Sequence, residues 1–256
     1  MNFITSTRAE LLKTKRSAAF WLCVLGALFI PAIFFMMYYF KPEVFIPMLK
    51  ADPWQSHFIR GWQSLSAFLL PMFIILICSL IPQIEYKNNT WKQVFASPQS
   101  FGSIFFSKFL TIHLMILFCF TLFTIFMILS ALTVNLVNNK FPFFDNSIDV
   151  SNLLRMVFKT YISVLAISAI QYWLGLRFKN FITPIGIGLG LLITSLVIMQ
   201  WEHIDKVPYA FPLLTLNSFV VKSGKILADH ELYSIGYFII FTLIGFMDMK
   251  YRNEKG

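Results

Sequence analysis

The chain reads as an all-α membrane protein with six transmembrane helices and both termini in the cytoplasm. Three features predict this. First, the 256 residues are 57% hydrophobic and only 13% charged, with a mean hydropathy of +0.70; a soluble domain carries about 25% charged residues. Thirty Phe and eleven Met add apolar surface that a water-soluble fold of this size cannot hide. Second, apolar runs recur at the length that crosses a hydrocarbon core of about 30 Å as a helix, roughly 20 residues. Third, the basic residues gather in the connections on one side of those runs.

The runs are Ala18–Phe40, Trp62–Pro82, Ile104–Val134, Met156–Phe178, Phe181–Gln200 and Leu232–Met249. Backbone groups in lipid must be satisfied within the segment, and no ten-residue alternation suggests a barrel, so helices are expected. The first run is too long for a signal-peptide core and no small-residue cleavage site follows it, so it reads as a retained span. With no linker, repeat or low-complexity tract, residues 1–256 read as a single membrane domain.

Orientation follows from Lys and Arg. The N-terminus, Gln83–Lys108, Arg177–Lys179 and the C-terminus carry 12 basic and 4 acidic residues. The three longer loops carry 9 basic and 8 acidic. The first set is expected in the cytoplasm, which accounts for the +9 net charge without nucleic acid as a partner. Arg155 and Lys159, at the outer start of the fourth run, are expected to snorkel to the interface. Trp21, Trp62, Trp173 and Trp201, with Tyr38, Tyr39, Tyr172 and Tyr233, fall near span ends and suggest aromatic belts.

Two short segments carry more than topology. Thr7-Arg8-Ala9-Glu10 has capping-box spacing, followed by Leu11, Leu12, Lys13, Lys15 and Arg16, which suggests a short helix in the inner headgroup layer. Between the second and third runs, Thr90 and Gln93 repeat that spacing, Trp91, Val94 and Phe95 share one helical face, and Pro98 restricts Ser97 and ends the helix. Trp91 and Phe95 suit either the inner leaflet or a groove on a cytosolic partner. Glu85 suits pairing with a basic residue.

Glu85-Tyr86-Lys87, then Asn89-Thr90-Trp91-Lys92 and Ser97-Pro98, with Lys108 opening the next span, resemble the cytoplasmic loop of ABC-2 type permeases. These are the membrane subunits of ATP-binding-cassette exporters. Glu10-Leu11-Leu12-Lys13 and the residues up to Ser17 resemble that family's interfacial elbow helix. The nearest flavour is the group that includes bacteriocin and lantibiotic immunity subunits; one departure is Asn89, where Gly is common. The resemblance implies an export permease in the plasma membrane, partnered by a cytosolic ATPase and a second permease chain, identical or related. It implies a coupling helix built on Glu85, Tyr86, Thr90, Trp91, Lys92, Val94 and Phe95, and an elbow on Glu10, Leu11, Leu12 and Lys13. For the loop Trp201–Glu231 it implies re-entrant helices, where the residues alone allow an ordinary amphipathic loop.

Other chemistry finds little support in the residues. No GxxxxGK[ST] or HExxH motif occurs, so no ATP site, metal, cofactor or catalytic residue is expected on this chain. Cys23, Cys78 and Cys119 lie inside apolar runs and read as small buried hydrophobes. His57, His203 and His230 fall in predicted outer loops, and His113 near the cytoplasmic end of the third run. Glu202, His203 and Asp205 read as a solvated loop, and the runs hold almost no acid. Gly186 and Gly190 form a GxxxG that suggests internal packing, and Pro31 and Pro71 suggest kinks. An intramembrane enzyme, such as a protease or lipid transferase, and a non-transporting immunity or sensor subunit are the alternative readings.

Overall fold

The computed structural model describes residues 3–15, 17–88, 90–96, 99–221 and 226–251, without the side chains of Lys92, Phe95 and Ala96. The expectations for Arg16, Asn89, Ser97 and Pro98, and for the side chains of Lys92 and Phe95, therefore lie outside the described residues. Among the described residues every regular element is helical. In order these are α1 (Phe3–Thr14), α2 (Ala18–Phe40), α3 (Pro42–Met48), α4 (Pro53–Ser64), α5 (Leu70–Asn88), α6 (Trp91–Ala96), α7 (Phe101–Val137), α8 (Val150–Arg177), α9 (Ile182–Val197), α10 (Phe211–Val220) and α11 (Asp229–Tyr251).

Among the described residues five helices are long and apolar enough to cross a membrane: α2, the continuous Pro53–Asn88, α7, α8 and α11. The expected fifth run forms only the 16 residues of α9. At 1.5 Å per residue that is about 24 Å, short of a full hydrocarbon core. Apart from α2, the other spans outrun their apolar stretches, and polar caps set the starts of two of them. Asp52 accepts from Gln55 N–H with Pro53 at the first helical position, and Asp149 accepts from Asn152 N–H.

Pro71 shapes the second span. It has no N–H, and its ring would meet the carbonyl of Ala67. The helix answers with one π-helical stretch, Leu65–Leu69, joining α4 to α5, in which Leu70 N–H reaches back to Leu65 O.

Small residues set the helix spacing, as expected where lipid gives little driving force for helix association. Ala19, Cys23 and Ala27 form a buried stripe on α2, which packs along α7. A Cβ on Gly175 of α8 would stand 2.5 Å from the backbone oxygen of Cys78 on α5, so only glycine admits this approach. α8 is the hub, in contact with α5, α9, α10 and most extensively α11. All three cysteines are free and buried.

The GxxxG of α9 does not serve internal packing. Gly186 and Gly190 have nothing within 4 Å of an added Cβ, whereas Gly188, between them, faces inward, where a Cβ would come within 2.9 Å of Ile75 and closer still to the amide of Gln171. A two-residue offset, about 200° around the helix, separates the two faces.

Several aromatic residues are core rather than belt. Trp62 is fully buried, edge-on to Phe120 and Phe123 at 4.9 Å each. Tyr38 and Tyr172 are buried as well, while Trp21, Trp201, Tyr39 and Tyr233 are exposed. His57 is not in a loop. It lies fully buried on α4, 2.9 Å from both the Tyr38 hydroxyl and the Met127 carbonyl oxygen. A carbonyl only accepts, so Nε2 carries the proton and Nδ1 accepts from Tyr38. His230 likewise belongs to the first turn of α11, paired with Thr215 at 2.9 Å. His113 is buried on α7 and pairs with the Tyr161 hydroxyl at 3.0 Å. Segment 201–231 contributes two 3-10 turns and α10, which packs on α4, α8 and α11.

Candidate functional site

α1 packs on α7 with its polar face inward: Ser6, Thr7, Glu10 and Thr14 are buried while Phe3, Ile4 and Leu12 are exposed. That is the reverse of a helix lying on a soluble core. The capping-box reading of Thr7 and Glu10 is overturned. The helix begins at Phe3, so Thr7 lies within it and donates to Phe3 O, and Glu10 is drawn elsewhere.

Where it is drawn defines the site. Lys108 Nζ, from the second turn of α7, lies 2.8 Å from Glu10 Oε2 and 2.7 Å from Glu85 Oε1. Lys13 Nζ lies 2.8 Å from Glu10 Oε1 and 2.8 Å from the same Glu85 oxygen. Two carboxylates and two ammonium groups thus alternate around a ring contributed by α1, α5 and α7. Lys108 is 0% exposed and Glu85 1%. Isolated burial of such charges costs several kcal/mol each, and only the reciprocal pairing makes it tolerable. Burial pulls the Glu10 carboxyl up, but Lys108 and then Lys13 pull harder, and it is held below the ordinary carboxylate range. Burial pulls the Lys13 ammonium down, yet its bonds to Glu10 and Glu85 hold it above the ordinary lysine range.

α6 closes over this ring. Trp91 turns inward, its ring 5.5 Å from Lys108 Nζ and 5.3 Å from the Tyr86 ring. It is therefore a tether for α6 rather than an outward anchor. Thr90 N–H donates to Glu85 O, and Tyr86 donates to Leu176 O on α8. Val94 is half-buried and Gln93 exposed. A cleft of about 450 Å³ opens beside the ring, bordered by Glu10, Lys13, Glu85, Asn88, Gln93 and Gln99. Ser6 crosses to Gln99 Oε1 at 2.7 Å.

Of the residues singled out in the sequence, Glu10, Lys13, Glu85, Tyr86, Thr90, Trp91 and Val94 come together here, while Leu11 and Leu12 lie towards the outer side of α1. Lys108 is the member that sequence reasoning did not place in the site. A lysine eight residues into an otherwise apolar helix was its signal.

A second buried ion pair joins α8 to α11. Lys159 Nζ lies 3.4 Å from Glu231 Oε2, which also accepts from Ala228 N–H at 2.8 Å. Lys159 lies 5.6 Å from the Phe219 ring of α10. It does not snorkel, because α8 starts at Val150 and carries it about two and a half turns into the bundle. Nor are the long helices free of acid: α5 and α11 run far enough to include Glu85 and Glu231.

A bundle of long apolar helices, with its fully buried charges held in ion pairs, is a multi-pass membrane protein. Residues 7–195 match the ABC-2 family transporter proteins, and the chain belongs to that family. It is thus a membrane subunit of the transporter permease class. A comparison with curated proteins finds no match.

Proposed function

We propose that the chain is the permease subunit of an ATP-driven exporter, docked by a separate cytosolic ATPase at its α1–α6 end. One observation carries this reading: the ring of Glu10, Lys13, Glu85 and Lys108 ties α1, α5 and α7 into one unit directly beneath α6. A push on α6 would pass through Trp91 and Lys108 into two spans, and through Tyr86 into a third. On this reading α6 is the coupling helix and Trp91 positions it. The exposed Phe3, Ile4 and Leu12 of α1 suit an elbow in the inner headgroup layer. α9 serves as a short sixth span, both termini are cytoplasmic in the plasma membrane, and residues 1–256 form one permease domain. A second permease chain completes the pathway, and the apolar spans suit an amphipathic peptide or lipid-like substrate.

The test is purification of the tagged permease from membranes. Replacing Trp91 and Phe95 together by Ala is expected to remove the ATPase while the permease remains folded. An ATPase that stays bound and fully active in transport contradicts the assignment.

A further inference from the structure

With its polar side packed on α7, α1 leaves a mixed face outside. Ile4, Arg8, Leu12 and Lys15 fall within an arc of about 80° on a helix of roughly 3.6 residues per turn. All four are exposed, Ile4 at 79% and Leu12 at 59%. Lys15 stands one residue past Thr14, but its N–H bonds to Leu11 O at 3.2 Å, so the helical path reaches it. The single acid of α1, Glu10, is buried on the other side and committed to Lys13 and Lys108. Neither Arg8 nor Lys15 makes an ion pair among the described residues. The outward face is therefore apolar and basic, with no acid of its own helix left to balance it.

We propose that this face of α1 seats anionic phospholipid headgroups of the inner leaflet; this rests on the reading of α1 as an elbow in the inner headgroup layer. Ile4 and Leu12 enter the boundary between headgroups and acyl chains, as the apolar face of an interfacial helix does. The long stems of Arg8 and Lys15 carry their charges up to the phosphates. A zwitterionic headgroup balances its phosphate with its own ammonium. A headgroup of net negative charge leaves that balance to Arg8 and Lys15. Each basic residue at an anionic membrane surface is worth about a fivefold preference. An acidic protein surface would meet the same charges, but nothing in that charge match covers Ile4 and Leu12. The ring fixes the orientation: Glu10 holds α1 to α7 through Lys108, and Lys13 holds it to α5 through Glu85, so the same side always faces out.

The experiment uses the full-length permease in lipid nanodiscs, with a bimane fluorophore on Thr5→Cys, an exposed position beside this face. Cys23, Cys78 and Cys119 are buried. Phosphatidylglycerol or phosphatidylcholine is added at equal mole fraction, each with the same quenching nitroxide at the headgroup end of an acyl chain. Phosphatidylglycerol is expected to quench with a preference of at least about fivefold. That preference is expected to shrink at about 1 M salt, where the Debye length is about 3 Å. It is expected to vanish in the double variant Arg8→Gln, Lys15→Gln and to persist in Arg8→Lys, Lys15→Arg. Both positions are exposed and outside the ring, so these variants keep the fold. Equal quenching by the two lipids, or an undiminished preference in the glutamine variant, overturns the anionic-lipid seat and leaves the elbow reading in place. Absence of quenching by either lipid removes the elbow reading as well.

Discussion

The two buried charge sites of this bundle solve the same electrostatic problem differently. At the α1 end, four charges from three helices share their partners, and one side of the ring borders a cleft of about 450 Å³. At the α8–α11 contact a single pair, Lys159 and Glu231, stands 3.4 Å apart with residue exposures of 4% and 0%. The first arrangement ties α5, which otherwise touches α1 and α7 little, to the packed α1–α7 pair, and it is reachable from outside. The second sits on the most extensive helix contact in the molecule and adds to a junction that packing already secures. The difference separates a junction suited to receiving force from one suited to resisting it.

The largest effect is expected at the ring. Lys108→Met leaves two buried carboxylates to share the exposed Lys13 alone and should cost about 3–5 kcal/mol, the range for breaking a buried pair. Thermal unfolding in detergent, with proteolysis of α1 as a local readout, checks this. Lys159→Met should cost less, about 1.5–3 kcal/mol, because Glu231 keeps its bond from Ala228 N–H. Equal losses would break the comparison.

Next comes the hub that links the two sites. Gly175→Ala sets a methyl against the backbone of Cys78, which cannot swing aside, and should cost about 1–3 kcal/mol. Gly186→Ala and Gly190→Ala meet open space, so each should be neutral or gain up to about 1 kcal/mol from helix propensity. Parallel unfolding curves of the three variants sharpen the distinction between the two faces of α9 and the α5–α8 contact.

The smallest effect is that of pH. The depressed Glu10 contributes attachment of α1 that is fully present above its ordinary value of 4.5 and is lost as pH falls through its lower folded value. The raised Lys13 contributes below its ordinary value of 10.5, and that is lost as pH climbs through its higher folded value. Hydrogen exchange of α1 amides, corrected for intrinsic rates, should therefore show constant protection from about pH 5 to about pH 10. A loss of protection near neutral pH would mean that a different group holds the helix.

Much of this arrangement was legible beforehand. Ala18–Phe40 matched α2 end to end, because a bare apolar run bounded by Ser17 and Lys41 leaves little choice. Glu85 and Trp91 stood out because an acid and an amphipathic turn interrupt an apolar stretch. The extension of the second span back to Pro53 was hidden by polar composition, since His57, Arg60 and Gln63 lower its hydropathy. Its periodicity was nonetheless visible: Trp54, His57, Phe58, Gly61, Trp62 and Leu65 fall on one buried face. Tryptophan near a span end suggested a headgroup belt, yet Trp62 is core because that span begins nine residues earlier than its apolar run. The ring itself was not legible, because two of its four ion pairs link residues 72 and 98 positions apart and only the packing of α1 on α7 brings them together.

The central claim is that the α1–α6 end faces the cytoplasm and is the docking face. Gln93→Cys places one reactive thiol on the rim of the cleft, while Cys23, Cys78 and Cys119 are buried. Labelling with a membrane-impermeant maleimide tests the claim directly. The account predicts labelling in inverted vesicles but not in intact cells, and protection when the ATPase is bound. Labelling in intact cells, or equal labelling with and without the ATPase, would contradict it.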